Sequence, residues 1–162
     1  CIGSRKAAPD GGFMLKPKSG YAGEFMTAEG EILRIFERQE NLKLKQRYRI
    51  PVGVGVFVEA DGYSNSRKVI CEVSARTGAP RGSQFNKIMT DALKMIFVER
   101  YQKRKLRKIL IFADRDAMRS FESTRNNWRA TCLKFFGIET WLASVSRQTG
   151  RRLRLERVKL KR

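Results

Sequence analysis

The chain has 162 residues, with 35 Lys+Arg against 16 Asp+Glu and a formal net charge of +19. It contains no His, which excludes a Ser-His-Asp triad, a Cys-His dyad, His-ligated zinc and imidazole acid–base chemistry. Its three cysteines, Cys1, Cys71 and Cys132, are scattered singly, with neither a disulfide framework nor a CxxC clip, and no apolar run approaches the ~18 residues of a membrane span.

In chain order, residues 1–25 are rich in Gly, Pro, Ser and Lys and show no period, so they read as a flexible leader. The pairs Gly3-Ser4 and Glu24-Phe25 resemble cloning-site scars, which marks Met26 as a candidate native start. Thr27 is placed to cap a helix running to about Asn41, with Glu29 and Glu31 in its first turn and Ile32, Ile35 and Phe36 on one face. Residues 46–60 turn β-like, and Val52, Val54, Val56 and Val58 keep strict period 2. Asp61 to Ser66 is a turn signal, and Lys68 to Arg76 alternates again, with Glu72 among apolar and small residues.

Ser83 is the expected cap of the longest helix, 83–102, which carries an apolar stripe and a polar one, Gln84, Lys87, Asp91 and Lys94. Ile109 to Ala113 reads as a buried central strand, Asp114 opens a short helix, and a further helix over 125–136 carries Trp128, Cys132, Phe135 and Phe136 at helical offsets before Gly137. Ile138 to Val145 is the last core strand, and the basic segment 147–162 suits an edge strand or a short helix. The order predicts an α/β domain over 26–146, a mixed central sheet flanked by helices. Asp114 and Asp116 form a rival acid pair, but helix capping accounts for them more simply.

Asp61 at a strand end and Glu72 on the next strand are brought to one end of the sheet by antiparallel pairing. Two carboxylates about 5 Å apart repel by roughly 3 kcal/mol at an effective dielectric near 20, so such a pair calls for a shared proton, an intervening cation or water. Without His or Cys ligands, an all-oxygen site suits Mg²⁺ or Mn²⁺.

The segments Glu59-Ala60-Asp61-Gly62, Val69-Ile70-Cys71-Glu72-Val73-Ser74 and Gln84-Phe85-Asn86-Lys87 resemble the signature of the PD-(D/E)XK, restriction-endonuclease-like phosphodiesterase superfamily. The resemblance spans residues 27–145. It implies a restriction-endonuclease-like core and metal-dependent hydrolysis of DNA phosphodiesters. Asp61, Glu72 and the Val73 carbonyl would be metal ligands, with an assisting acid from the first helix, for which Glu31 is preferred to Glu29. The sequence departs from the pattern in Ala60, where the family has Pro, and in Ser74, where it has the catalytic Lys. Lys87 is the expected substitute for that amine, with Gln84 orienting water or a phosphate oxygen. A domain lacking the amine would be a non-catalytic nucleic-acid-binding module.

Basic residues cluster at 43–49, 103–108 and 147–162. Lys43, Lys45, Arg47, Arg49, Lys103, Arg104, Lys105, Arg151, Arg152 and Arg154 are therefore candidate phosphate contacts, and Arg125, Asn126, Asn127 and Arg129 carry donors able to read base edges. The expected partner is DNA, with RNA as the alternative polyanion. A homodimer would serve two-strand cleavage, and the expected compartment is the cytoplasm, in association with the nucleoid.

Overall fold

The structure, a computed structural model, describes residues 21–145 together with 150, 151 and 153. Helix α1 spans Tyr21–Gln39, and three strands follow: β1 (Lys45–Pro51), β2 (Phe57–Ser64) and β3 (Val69–Ser74). Helix α2 (Ser83–Tyr101) leads to β4 (Arg107–Phe112), and two short helices, α3 (Arg115–Arg119) and α4 (Trp128–Phe135), precede β5 (Ile138–Leu142). The five strands form one mixed sheet in the order β1-β2-β3-β4-β5, antiparallel across β1, β2 and β3 and parallel from β3 to β5. Among the described residues no helix is long and apolar enough to cross a membrane.

Alternation along β3 and β4 sorts the core into two layers. Val69, Cys71 and Val73 on β3, with Ile109 and Ile111 on β4, pack against Ile32, Leu33 and Phe36 of α1. Ile70, Leu110 and Phe112 pack on the other face against Ile88, Ala92, Met95 and Val98 of α2, and against α3 and α4. Helices on both faces explain why β4 is a continuous apolar run. Glu72 and Lys108 share the parity of Ile70 and Leu110, so both enter the α2 layer. Lys108 Nζ is balanced there by Glu99 Oε2 at 2.6 Å.

Several expectations are corrected. The helix begins at Tyr21, so the expected boundary at residue 25 falls inside α1 and Thr27 does not cap it. No Pro interrupts 21–39, and propagating a helix is easier than nucleating one. Residues 1–20 lie outside the described residues. The valine run 52–58 is not one strand: Gly53 (φ 153°) and Gly55 (φ 72°) adopt backbone conformations that only glycine takes freely, and the chain reverses there. Gly82, not Ser83, precedes the first turn of α2, without a side-chain cap. On α4 the buried residues are Ala130 and Leu133, while Trp128 and Phe135 face solvent. Asp114 caps α3 by accepting from the amides of Asp116 and Ala117, as the simpler reading of that acid pair requires. At the C-terminal segment Gly150, Arg151 and Leu153 are helical and Leu153 is buried against the α1 layer; Arg152 and Arg154 lie outside the described residues.

Gly62 sits where the surrounding side chains leave no room for a Cβ. A Cβ there would lie 2.6 Å from Cys71 Sγ, 2.9 Å from Leu44 Cδ1 and 3.1 Å from Leu33 Cδ2. Gly62→Ala is predicted to destabilise the fold by about 1–3 kcal/mol through overpacking. Urea unfolding checks this, and adding Cys71→Ala should restore part of the loss by removing the nearest atom.

Candidate active site

β2 and β3 pair only from Gly62↔Cys71 to Ser64↔Val69. Continued by one step, that register would set Asp61 opposite Glu72, but the ladder stops there. The Val73 amide instead donates to Asp61 Oδ2 at 2.8 Å, so a side chain takes over where the backbone partner leaves. A fork opens between the two strands, with one acid on each prong.

Glu72 is 1% exposed and faces α2. Lys94 Nζ approaches its Oε1 to 2.9 Å, a contact that favours the charged form of the carboxyl. The same ammonium lies 3.1 Å from Asp91 Oδ1 and 3.4 Å from the Glu59 carbonyl, tying α2 to β2 and β3. Asp91 Oδ2 in turn accepts from Lys87 Nζ at 2.8 Å. Burial and the neighbouring Asp61 push the Glu72 carboxyl up to about 9, against the opposing pull of Lys94. Burial and Asp61 likewise raise Glu29, which Lys87 and Arg47 pull back down.

A cavity of about 340 Å³ lies beside the fork, at the C-terminal end of β3. Glu29, Val73, Ser74, Arg76, Gln84 and Lys87 are among its lining. In open α/β sheets this end of the strands is where ligands bind.

The structure thus brings together Asp61, Glu72, Val73, Gln84 and Lys87. Gln84 accepts from the Arg81 amide through Oε1, which leaves its amide nitrogen for other partners. Glu31 is not part of the group: it lines a separate open groove with Arg34, Glu37, Lys43 and Arg67, and Glu29 stands at the fork in its place. Successive residues turn by 100° on a helix, so positions 29 and 31 point away from each other. Lys94 joins the group as well. Its membership of the polar stripe was visible, but its reach to Glu72 was not. Lys43, Lys45, Arg47 and Arg49 are exposed on and before β1, with Arg47 paired to Glu59 at 3.5 Å. Lys103, Lys105 and Arg151 are exposed, whereas Arg104 is half-buried and donates to Gln102 and Tyr63. Asn127 caps α4 through its side chain and so has a structural role.

Among the described residues no three acidic or cysteine side chains are gathered as a metal cage. The donor set at the fork is nevertheless hard and anionic: two carboxylates and the Val73 carbonyl, with Glu29 nearby. That chemistry suits Mg²⁺ or Mn²⁺ completed by water and substrate oxygens. Cys71 is no nucleophile, because burial and nearby acids raise its thiol well above the ordinary range.

Comparison of the chain with protein-family models, curated proteins and solved structures gave no match.

Glu72 binds its proton more tightly in the folded chain than in the unfolded one, where it titrates near 4.5. Its contribution is therefore most favourable below about pH 4.5 and is lost as pH rises towards about 9. Glu72→Gln is predicted to flatten this dependence and, at pH 8 without metal, to exceed the wild type in stability by about 1–3 kcal/mol. Urea unfolding at pH 5 and pH 8 measures both.

Proposed function

We propose that the protein is a metal-dependent nuclease hydrolysing DNA phosphodiester bonds on a restriction-endonuclease-like core. The observation carrying this reading is the fork at which Asp61 and Glu72 meet beside two lysines and an open cavity. The order of helix, three strands, helix and strand in this mixed sheet accords with that core, as do the positions of both acids within it.

Asp61, Glu72 and the Val73 carbonyl would hold Mg²⁺ or Mn²⁺. Such an ion lowers the pKa of bound water and neutralises charge on a transferring phosphoryl group. The Val73 amide fixes the Asp61 carboxylate, so this ligand is oriented before any substrate arrives. Lys94 offsets the charge of Asp91, would do the same for Glu72 once it ionises, and is the ammonium that best replaces the one missing at Ser74. Lys87, with 57% of its side chain exposed, reaches into the cavity and is placed to neutralise a phosphate oxygen. The Gln84 amide can donate to a second oxygen or to water. Exposed Lys43, Lys45, Arg47, Arg49, Lys103, Lys105 and Arg151 supply long-range attraction to the DNA backbone.

One observation favours a second reading, a DNA-binding module without catalysis. Lys94 Nζ stands 2.9 Å from Glu72 Oε1, on the oxygen that a metal ion would need.

Nicking of supercoiled plasmid is expected with Mg²⁺ or Mn²⁺ and not with EDTA. Asp61→Ala and Glu72→Ala should each lower the rate by roughly 100-fold or more, Lys94→Met by about 10–100-fold, and Lys87→Ala by about 10-fold. Salt-sensitive DNA binding without nicking under either metal would select the second reading.

A further inference from the structure

The β1–β2 hairpin contains a feature that the acid site does not use. β2 is paired with β1 from Phe57 to Tyr63 but with β3 only over Gly62–Ser64. Among the described residues the hairpin beyond the fork is therefore a two-stranded ribbon, whose β2 edge meets no further strand and is touched at the Glu59 carbonyl by Lys94. One of its faces is anchored: Ile50, Val52 and Ala60 are buried in the α2 layer, with Tyr48 and Val58 packed against it. Among the described residues the opposite face carries exposed side chains, Arg49, Pro51, Phe57 and Glu59. There the Arg49 guanidinium lies 4.5 Å from the centre of the Phe57 ring. At the tip Val54 is fully exposed (104%) and Val56 is 55% exposed, and the space around Gly55 is empty.

Charge is just as uneven. From Lys43 to Val58 the chain has four cations and no acid. The nearest acid, Glu59, is paired with Arg47. An apolar tip on a cationic ribbon suits a groove walled by phosphates and floored by bases. With strands about 4.8 Å apart, such a ribbon fits the B-DNA major groove, which is about 12 Å wide.

We propose that the β1–β2 ribbon docks in the major groove of duplex DNA, with Lys45 and Arg49 against phosphates and the Val54 tip against base edges. This rests on DNA as the substrate and names its form, duplex B-DNA. Asp61 belongs to the same strand as the arm, so DNA held by the ribbon runs directly past the fork.

The test is fluorescence anisotropy in EDTA, with a labelled DNA duplex and an RNA duplex of the same sequence. Wild type should prefer the DNA duplex by about tenfold or more, because the A-form major groove is too narrow to admit a ribbon. Lys45→Ala/Arg49→Ala should weaken DNA binding about tenfold and reduce the salt slope by about two, one for each lost phosphate contact. Val54→Glu should weaken it comparably with an unchanged melting temperature, since Val54 touches nothing that folding buries. Equal affinity for the two duplexes, or an unchanged constant and salt slope in these variants, would overturn the proposal. Arm-dependent duplex binding without metal-dependent nicking supports the arm and removes only the hydrolase reading.

Discussion

The early end of the β2–β3 ladder is the constraint on which the site depends. Had the ladder continued past Gly62, Asp61 would be an ordinary position on a paired strand. The Val73 amide turns instead to the Asp61 carboxylate, so the amide is satisfied while the strands separate. This one hydrogen bond terminates the pairing, orients the acid and sets it beside Glu72. At the last paired rung Cys71, Leu44 and Leu33 leave room for glycine but not for a side chain at position 62.

Electrostatics follow from that geometry. Bringing a second carboxylate to a buried Glu72 carries a large cost, and the fold meets it in two ways. Lys94 crosses from α2 to contact Glu72, Asp91 and the Glu59 carbonyl, and Glu72 holds its proton far above the ordinary carboxylate range. Both arrangements leave room for a stronger cation. A divalent ion would compete with the Glu72 proton and would draw on an anionic field that Glu29 and Asp91 extend. In a chain of net charge +19 this gathering of acids runs against the overall charge.

Much of this was legible in the residues. Alternation at 69–74 identified β3 and the odd placement of Glu72, the apolar run at 109–113 identified a strand covered on both faces, and the stripe Gln84, Lys87, Asp91, Lys94 marked the side of α2 that faces the fork and the cavity. What escaped were choices that periodicity alone does not make. Lys87 and Lys94 lie on the same face but about 10 Å apart along the axis, and only the packing of α2 on β3 decides which ammonium meets Glu72. Glu31 is preferred to Glu29 on a helix start at Thr27, but α1 begins at Tyr21 and only its packing decides which of the two acids nears the fork. The valine run read as a strand because its side chains alternate, whereas Gly53 and Gly55 bend the chain through angles that side-chain pattern does not record. Trp128 and Phe135 look like core residues by composition, but the smaller Ala130 and Leu133 fit the space beside β5.

The central claim is that Asp61 and Glu72 act as one cation site at this fork. Calorimetric titration of Mn²⁺ into the protein at pH 7.5, in two buffers of different ionisation enthalpy, tests it most directly. Saturable binding of one ion is expected, with release of about one proton because burial and Asp61 raise the Glu72 carboxyl, and with loss of binding in Asp61→Asn. Absence of saturable binding, or binding that releases no proton and survives both Asp61→Asn and Glu72→Gln, would contradict it.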